Sequence, residues 1–396
     1  MVSRSKTAKD TKRKGAESAQ ASKVSASPSA ATKVEYSDQG LREPFCLKTT
    51  DLRDDLEVTA SAISDILRKA NASFVGDSSK TGASKNIDPL TVRQILADRG
   101  FQFPLDATGT AHRIALQITK GGAAKTTSAH ALGTRMSAMG AKVLLVDCDP
   151  QSNLTTIFDL EQYNVEIDEE TLILSDLFDA PRGTDEIKVE DLILPITSNL
   201  HLIPSTLQNS NMEAFLYRGG TNIANGLRRK FASILNKYDY IIFDCAPSLS
   251  STNALISFFC DTIILPVYPD KLCMSGLHQT LGELTRLRSE FPDAKADMNA
   301  RIVYSRFDAR QVMSVHYLSK LYDEFQDKMY KTYIRTSSVL ANSIHASKNL
   351  FEAGKSGVAG DYHNLMKEII GLDGKSLRKK SSVSKRAGVK AEGVHA

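Results

Sequence analysis

Between residues 110 and 305 the chain alternates short unbroken apolar runs with stretches of helical periodicity. Ile114-Ala115-Leu116-Gln117-Ile118, Lys142 to Val146, Leu200 to Ile203, Tyr240 to Phe243, Thr262 to Leu265 and Arg301 to Tyr304 have the length and composition of buried strands. Thr126 to Met139 has the spacing of a helix, stopped by Gly140. This alternation predicts an α/β architecture, a mostly parallel sheet covered by helices on both faces. Ligands of such sheets bind beyond the carboxyl ends of the strands.

The pattern changes ahead of residue 109. Thr50 to Leu56 and Ala60 to Ala70 predict two short helices, with Leu52, Leu56, Ile63, Ile66 and Leu67 at helical spacing. Ser61, Ser64 and Arg68 fall off the apolar face, where a helix-turn-helix presents its reading residues; plain helix packing is the competing reading. The polar stretch Gly76 to Lys85 reads as a loop or wing, and Thr91 to Arg99 as a further helix closed by Gly100. The expected organisation is a disordered basic tail over residues 1–35, a helical, helix-turn-helix-like domain over 36–108, the α/β domain over 109–373 and a second disordered basic tail over 374–396.

Composition narrows the class. Apolar residues are 41% and charged residues 24% of the 396, ordinary for a protein with a core. Five cysteines without paired spacing fit a reducing cytosol and argue against zinc. The start of the chain lacks the apolar segment of a secretory signal, and the most apolar stretch, Ala254 to Tyr268, is broken by Asp261 and too short to span a membrane. Residues 1–35 carry a net charge of +5 and residues 375–396 a net of +6 within a total of +4, which leaves the body between them at −7. Basic tails on an acidic body point to contact with a polyanion, or simply to solubilisation.

Chemistry concentrates at three strand ends. Lys120-Gly121-Gly122-Ala123-Ala124-Lys125-Thr126-Thr127 joins the first strand to the first α/β helix, so backbone N–H groups and a helix N-terminus converge on a phosphate site. Lys125 reaches β- and γ-phosphates there, and the Thr126 hydroxyl holds Mg²⁺. The loop departs from the general phosphate-binding form: Thr119 and Ala124 stand where glycines would. Lys120 is a second lysine, suited to delivering charge to a nucleotide across a dimer interface. Asp244 ends the strand Tyr240 to Phe243 and is expected beside the metal through water. Asp147 and Asp149 close another strand; Asp149 is expected to orient a water for in-line attack and Asp147 to stand in the metal shell, unless one of them caps the segment beginning at Gln151.

KGGAAKTT, VLLVDCDPQSNLT and YDYIIFDCAPSLS together resemble the deviant Walker A, Walker A′ and Walker B motifs of the ParA/MinD ATPases, over residues 40–370. The helical piece ahead of them is similar to that of long plasmid partition proteins (type Ia, ParA/SopA-like). The resemblance implies a P-loop NTPase fold, slow intrinsic ATP hydrolysis with ATP and Mg²⁺ as cofactors, and a bacterial, cytoplasmic, nucleoid-associated protein. It further implies an ATP-dependent homodimer, with Lys120 as the signature lysine and Asp149 as the water-activating carboxylate. Non-specific double-stranded DNA would be bound through Arg310, Arg335 and Lys348, although the Ile-Pro-Arg of the chromosomal branch is absent. A ParB-like centromere-binding protein is the implied partner. Operator DNA is a further one if the segment near residues 50–70 reads bases, which would make the protein primarily a nucleotide-switched repressor. A membrane-bound MinD-like role fails on the tail Lys375 to Ala396, whose few large apolar residues make no amphipathic helix. An iron–sulfur reductase fails for want of cysteine ligands.

Overall fold

The computed structural model describes residues 40–76, 85–179, 186–218, 225–291, 299–351 and 357–372. The chain divides into two units, Met1–Val34 and Glu35–Ala396. The first unit, the rest of both expected tails and residues 77–84 of the expected wing lie outside the described residues.

The described chain begins with β1 (Leu47–Lys48), α1 (Thr49–Asp55) and α2 (Ala60–Lys69), continues through β2 (Phe74–Val75) and β3 (Asn86–Ile87), and reaches α3 (Pro89–Asp98). The three strands pair antiparallel in the order β1-β3-β2. The helices were legible in the periodicity; the strands, two residues each, are too short to show any. Caps fix the helix starts. The Thr59 side chain accepts the Ala62 N–H at 3.2 Å, and Asp88 accepts the Thr91 N–H at 3.2 Å ahead of Pro89.

The α/β part runs β4 (His112–Leu116), α4 (Lys125–Ala138), β5 (Val143–Asp147), α5 (Asn153–Ile157), α6 (Asp176–Asp179), β6 (Leu194–Thr197), β7 (Leu200–Ile203), α7 (Met212–Arg218), α8 (Gly226–Lys230), β8 (Tyr240–Asp244) and α9 (Ser251–Phe259). It ends with β9 (Thr262–Val267), α10 (Lys271–Glu290), β10 (Asn299–Tyr304), α11 (Val312–Phe325), α12 (Ser338–His345) and α13 (Gly357–Ile370). The sheet order is β10-β9-β4-β8-β5-β7-β6, parallel except for β6, which pairs antiparallel with β7. This is a P-loop NTPase fold with a small helical subdomain in front. Strand β4 ends two residues earlier than its apolar run. The Gln117 N–H still bonds the Ile264 carbonyl of β9 at 3.0 Å, but the Cys245 N–H takes the Leu116 carbonyl at 3.2 Å and the chain peels from β8 into the loop.

Alternation along the strands sends side chains to two cores. Ile114, Leu116, Val143, Leu145, Tyr240 and Ile242 join one; Ala115, Leu144, Val146, Ile241 and Phe243 join the other. The first core also takes Leu52, Leu56, Ile63 and Val92 of the leading subdomain, so that subdomain is packed on the sheet's α4 and α13 side. A buried polar cluster pins the contact. His363 Nε2 meets Asp55 Oδ1 at 2.7 Å, Lys367 Nζ donates to the same oxygen at 3.1 Å, and Arg135 donates to His363 Nδ1 at 2.9 Å and to Asp51 at 2.9 Å. Burial pushes the Asp55 carboxyl up, but the His363 hydrogen bond and the surrounding cations more than offset it, leaving its pKa below the ordinary value. Among the described residues no helix is long and apolar enough to cross a membrane.

Helix α4 also buries His130 against the Phe158 ring, 5.2 Å between centroids. Burial, with the Arg42 charge, lowers its pKa to about 4. Because the folded value lies below the unfolded one, the folded state binds fewer protons in between. The stability is therefore complete above the ordinary pKa and is lost as pH falls from there toward about 4. Denaturant unfolding between pH 7.5 and 4.5 is expected to show a falling midpoint. His130→Gln should remove about 2–3 kcal/mol of that fall, and the difference between the two proteins isolates the imidazole.

Candidate functional site

The loop between β4 and α4 wraps the N-terminus of α4. Gly122 takes a φ of 72° and Ala124 a φ of 68°, so two residues of the turn are left-handed and one of them carries a Cβ. Ala124 is the N-cap of α4, makes no side-chain cap, and gives its carbonyl to the Ser128 N–H at 2.9 Å. The first-turn N–H groups of a 14-residue helix thus open toward the loop, the arrangement that binds anions. Gly121 and Gly122 are exposed, and Ala123 is buried beneath them.

Lys125 is buried and curls back, with Nζ 3.5 Å from the Lys120 carbonyl. Burial depresses its pKa, against the attraction of Asp244 and Asp149. Both are among the three carboxylates the sequence singled out. Thr126 and Thr127 follow it at the half-buried start of α4.

The paired strands β5 and β8 set Asp147 opposite Asp244 in register, and the two carboxylates differ sharply. Asp147 Oδ2 accepts the Thr155 N–H at 2.9 Å and the Thr155 hydroxyl at 2.8 Å, while Oδ1 accepts the Asp149 N–H at 3.2 Å. Asp147, expected in the metal shell, thus has both oxygens engaged by protein. The reason is local: the chain turns at Pro150 directly into α5, whose orphan N–H groups need an acceptor. Asp244 is buried, and neither oxygen has a hydrogen-bond partner among the described residues. Burial and the Asp147 charge raise its pKa well above the ordinary value; the nearby Thr126 hydroxyl and Lys125 act in the opposite sense. Burial likewise lifts Asp147 to about 6.

Asp149 is held by its backbone. Its carbonyl accepts Ser205 Oγ at 2.7 Å, and its Oδ1 accepts the Gln151 N–H at 3.0 Å. Ser205 also receives Asn209 Nδ2 at 2.8 Å, and the Ser205 N–H donates to Thr155 Oγ1 at 3.0 Å. Thr155, Ser205 and Asn209 are therefore supports of the site that sequence reasoning missed. Two of them follow β7, and only the fold brings them here.

The expected DNA residues fall into three places. The backbone of Phe307 bonds Ile334 and Thr336 at 2.9 Å each, which lays the Arg310 and Arg335 segments side by side. Arg310 is 89% exposed and forks onto Asp308 at 2.9 Å. Arg335 forks onto the buried Asp361 of α13 at 2.7 and 2.6 Å. Lys348 is exposed in the turn after α12. Ser61, Ser64 and Arg68 are exposed on α2 in the leading subdomain, with Arg68 paired to Asp65 of the same helix at 2.8 Å.

The contrast between the two aspartates predicts stability changes of opposite sign. Asp147→Ala strands the Thr155 donors and is expected to lower the unfolding free energy by about 2 kcal/mol. Asp244→Asn removes a desolvated carboxylate that repels Asp147 and closes no hydrogen bond, and should raise the stability of the nucleotide-free protein by about 1 kcal/mol. Equilibrium urea unfolding at pH 7 checks both; equal losses would contradict this account of the site.

A protein-family model described as an AAA domain matches residues 111–299. The sporulation initiation inhibitor protein Soj of Bacillus subtilis is 30% identical over 261 residues, covering 65% of this chain and 97% of that protein. The chromosome partitioning protein ParA of Caulobacter vibrioides is 26% identical over 224 residues, 56% of this chain and 79% of that protein. An ATP complex of McdA from Cyanothece matches with a TM-score of 0.57 at 21% identity, covering 67% of this chain and 98% of that one, a likeness of fold alone. With the two-lysine phosphate loop and the aspartates at the ends of β5 and β8, the near-complete coverage of the Bacillus relative shows that the chain belongs to the ParA/MinD superfamily of P-loop ATPases.

Proposed function

We propose that this protein is a partition ATPase of the long, plasmid type. Its ATP-bound dimer binds DNA of any sequence and is released when a centromere-binding partner stimulates hydrolysis. The observation that carries the reading is the phosphate loop, with Lys120 at its entry and a buried Lys125 that feels the charges of Asp244 and Asp149. The Caulobacter relative's name supports a partition role. The leading subdomain supports the long type, because its two helices and three-stranded sheet follow the order of a winged helix.

Each residue has a task in this scheme. The loop N–H groups and Lys125 hold the β- and γ-phosphates, and Lys120 reaches the nucleotide of the partner subunit. The partnerless Asp244 oxygens beside the Thr126 hydroxyl fit a hard, oxygen-seeking cation, so these two residues would hold Mg²⁺, Asp244 directly or through water. Bound there, the ion would neutralise charge on the phosphates. Asp149 orients the attacking water, and Asp147 holds α5 in place behind it. Exposed Leu207, Leu249, Leu272, Val312 and Met313 all lie in segments leaving the carboxyl ends of β7, β8, β9 and β10, an apolar rim suited to a second copy facing the nucleotide.

The Arg310–Arg335 edge and Lys348 supply the DNA face, and phosphate oxygens compete there with Asp308 and Asp361 for the guanidinium forks. Binding to a random-sequence duplex is expected to require ATP, to fall steeply between 50 and 200 mM salt on the order of a hundredfold or more, and to vanish in Lys120→Gln. Fluorescence anisotropy with ATP, ADP and no nucleotide decides; binding indifferent to nucleotide would overturn the reading.

The winged-helix order favours a second reading, a nucleotide-switched repressor of the protein's own operon. Ser61→Ala combined with Arg68→Ala is expected to abolish binding to operator DNA upstream of the gene and to spare ATP hydrolysis. Operator binding that survives both changes would remove α2 as a reader.

A further inference from the structure

The residue before the signature lysine is tied to a helix from elsewhere in the fold. The Thr119 N–H points to Thr280 Oγ1 at 3.4 Å, and the Thr119 hydroxyl donates to the Gly276 carbonyl at 3.3 Å. The Thr280 hydroxyl donates to the same carbonyl at 2.8 Å, so the three groups form one closed set. Gly276 and Thr280 are one turn apart on α10 and both are buried, so they present one face of the helix to the loop.

Glycine inside a helix loses about 1 kcal/mol relative to alanine, and here closeness of approach explains it. A Cβ on Gly276 would lie 2.8 Å from Thr119 Oγ1, 3.5 Å from Lys120 Cβ and 3.6 Å from Lys120 N. Helix α10 thus abuts the stem of Lys120 itself. One turn earlier, Cys273 is buried, accepts the Tyr268 N–H at 3.5 Å, and feels the charges of both Lys120 and Lys125. The loop's departure from the general motif gains a physical reason: a glycine at position 119 would have no hydroxyl to tie to α10.

We propose that Thr119, Gly276 and Thr280 are positioning residues for Lys120, a brace that fixes the direction in which this lysine leaves the loop. The proposal rests on the reading of Lys120 as the lysine that reaches the partner's nucleotide. Lys125 meets the braced segment only at the Lys120 carbonyl, 3.5 Å from its Nζ, and the anion-binding turn lies beyond it, so the brace governs dimerisation and turnover rather than first binding of nucleotide. An ångström-scale misplacement of a group acting in the transition state costs about 10- to 100-fold.

The test compares Gly276→Ala, Thr280→Val, Thr280→Ser and Lys120→Gln in the full chain. Three quantities are measured: affinity for a fluorescent ATP analogue, ATP-dependent dimerisation by sedimentation velocity, and kcat for ATP hydrolysis. Gly276→Ala and Thr280→Val are expected to bind the analogue within about 3-fold of the parent, while kcat falls about 10-fold or more and the ATP-dependent dimer is lost, as in Lys120→Gln. Thr280→Ser keeps the hydroxyl and should behave as the parent. The isosteric Thr280→Val decides should Gly276→Ala fail to fold. Parent-like dimerisation and kcat in Thr280→Val, or a loss of analogue binding as large as the loss of kcat, would overturn the brace. If Lys120→Gln itself dimerises and turns over normally, the reading of Lys120 falls instead, whatever the brace variants do.

Discussion

Burying a carboxylate without a hydrogen bond is among the least favourable arrangements a protein can hold, since desolvation penalises the charge and a neighbouring cation offsets only part of that penalty. Asp244 is in that condition at the end of the strand that pairs with both β4 and β5. The surrounding structure makes sense as what is needed to hold it there. Lys125 is drawn inward against its own desolvation. Asp147, the neighbour in register, is occupied by Thr155, so the β5 carboxylate is anchored while the β8 one stays open. A site whose most strained group is the one a cation would satisfy stores part of its folding stability for release on binding.

Much of this was legible in the chain because buried parallel strands are nearly continuous apolar runs and the chemistry sits where each run stops. The phosphate loop, Asp147, Asp149 and Asp244 all stand at or just past such strand ends. What escaped had one of two causes. Strands β1, β2 and β3 have two residues each, too few for a period, and exist only through their pairing. Thr155, Ser205 and Thr280 are ordinary hydroxyl residues whose partners lie on other elements, so no local spacing announces them. Alternation gave the side of the strand from which Asp147 projects, but not that α5 would begin eight residues on with donors in need of an acceptor. Arg335 was singled out through the resemblance, as a DNA-binding residue; the fork onto Asp361 comes from a helix that joins it only in the fold.

That helix links regions far apart in the sequence. Consecutive residues on a helix point about 100° apart, and α13 uses this at three adjacent positions. Asp361 holds Arg335, Tyr362 meets Ser128 of α4 at 3.1 Å, and His363 joins Arg135 of α4 to Asp55 of α1. The Arg135 hydrogen bond makes His363 Nδ1 an acceptor, which leaves Nε2 to donate to Asp55 and fixes the tautomer. Burial lowers the His363 pKa, with Arg135 acting in the same sense and Asp55 opposing.

The leading subdomain is therefore not an independent bead on a tether. It shares an apolar core with the sheet and a buried polar cluster with the helix that begins at the phosphate loop. Asp55 Oδ2 is left without a partner in that cluster, so the contact is held by charge pairing and not by a fully satisfied network. Such a contact breaks as a unit, because removing any one of Asp55, His363 or Arg135 leaves a buried charge or donor uncompensated. A displacement of α4 at the phosphate loop would reach α1 through Arg135 and the Arg310–Arg335 edge through α13. The leading subdomain and the Arg310–Arg335 edge thus share a mechanical link to the phosphate loop, and truncation at the subdomain boundary would expose a core face, not free a module.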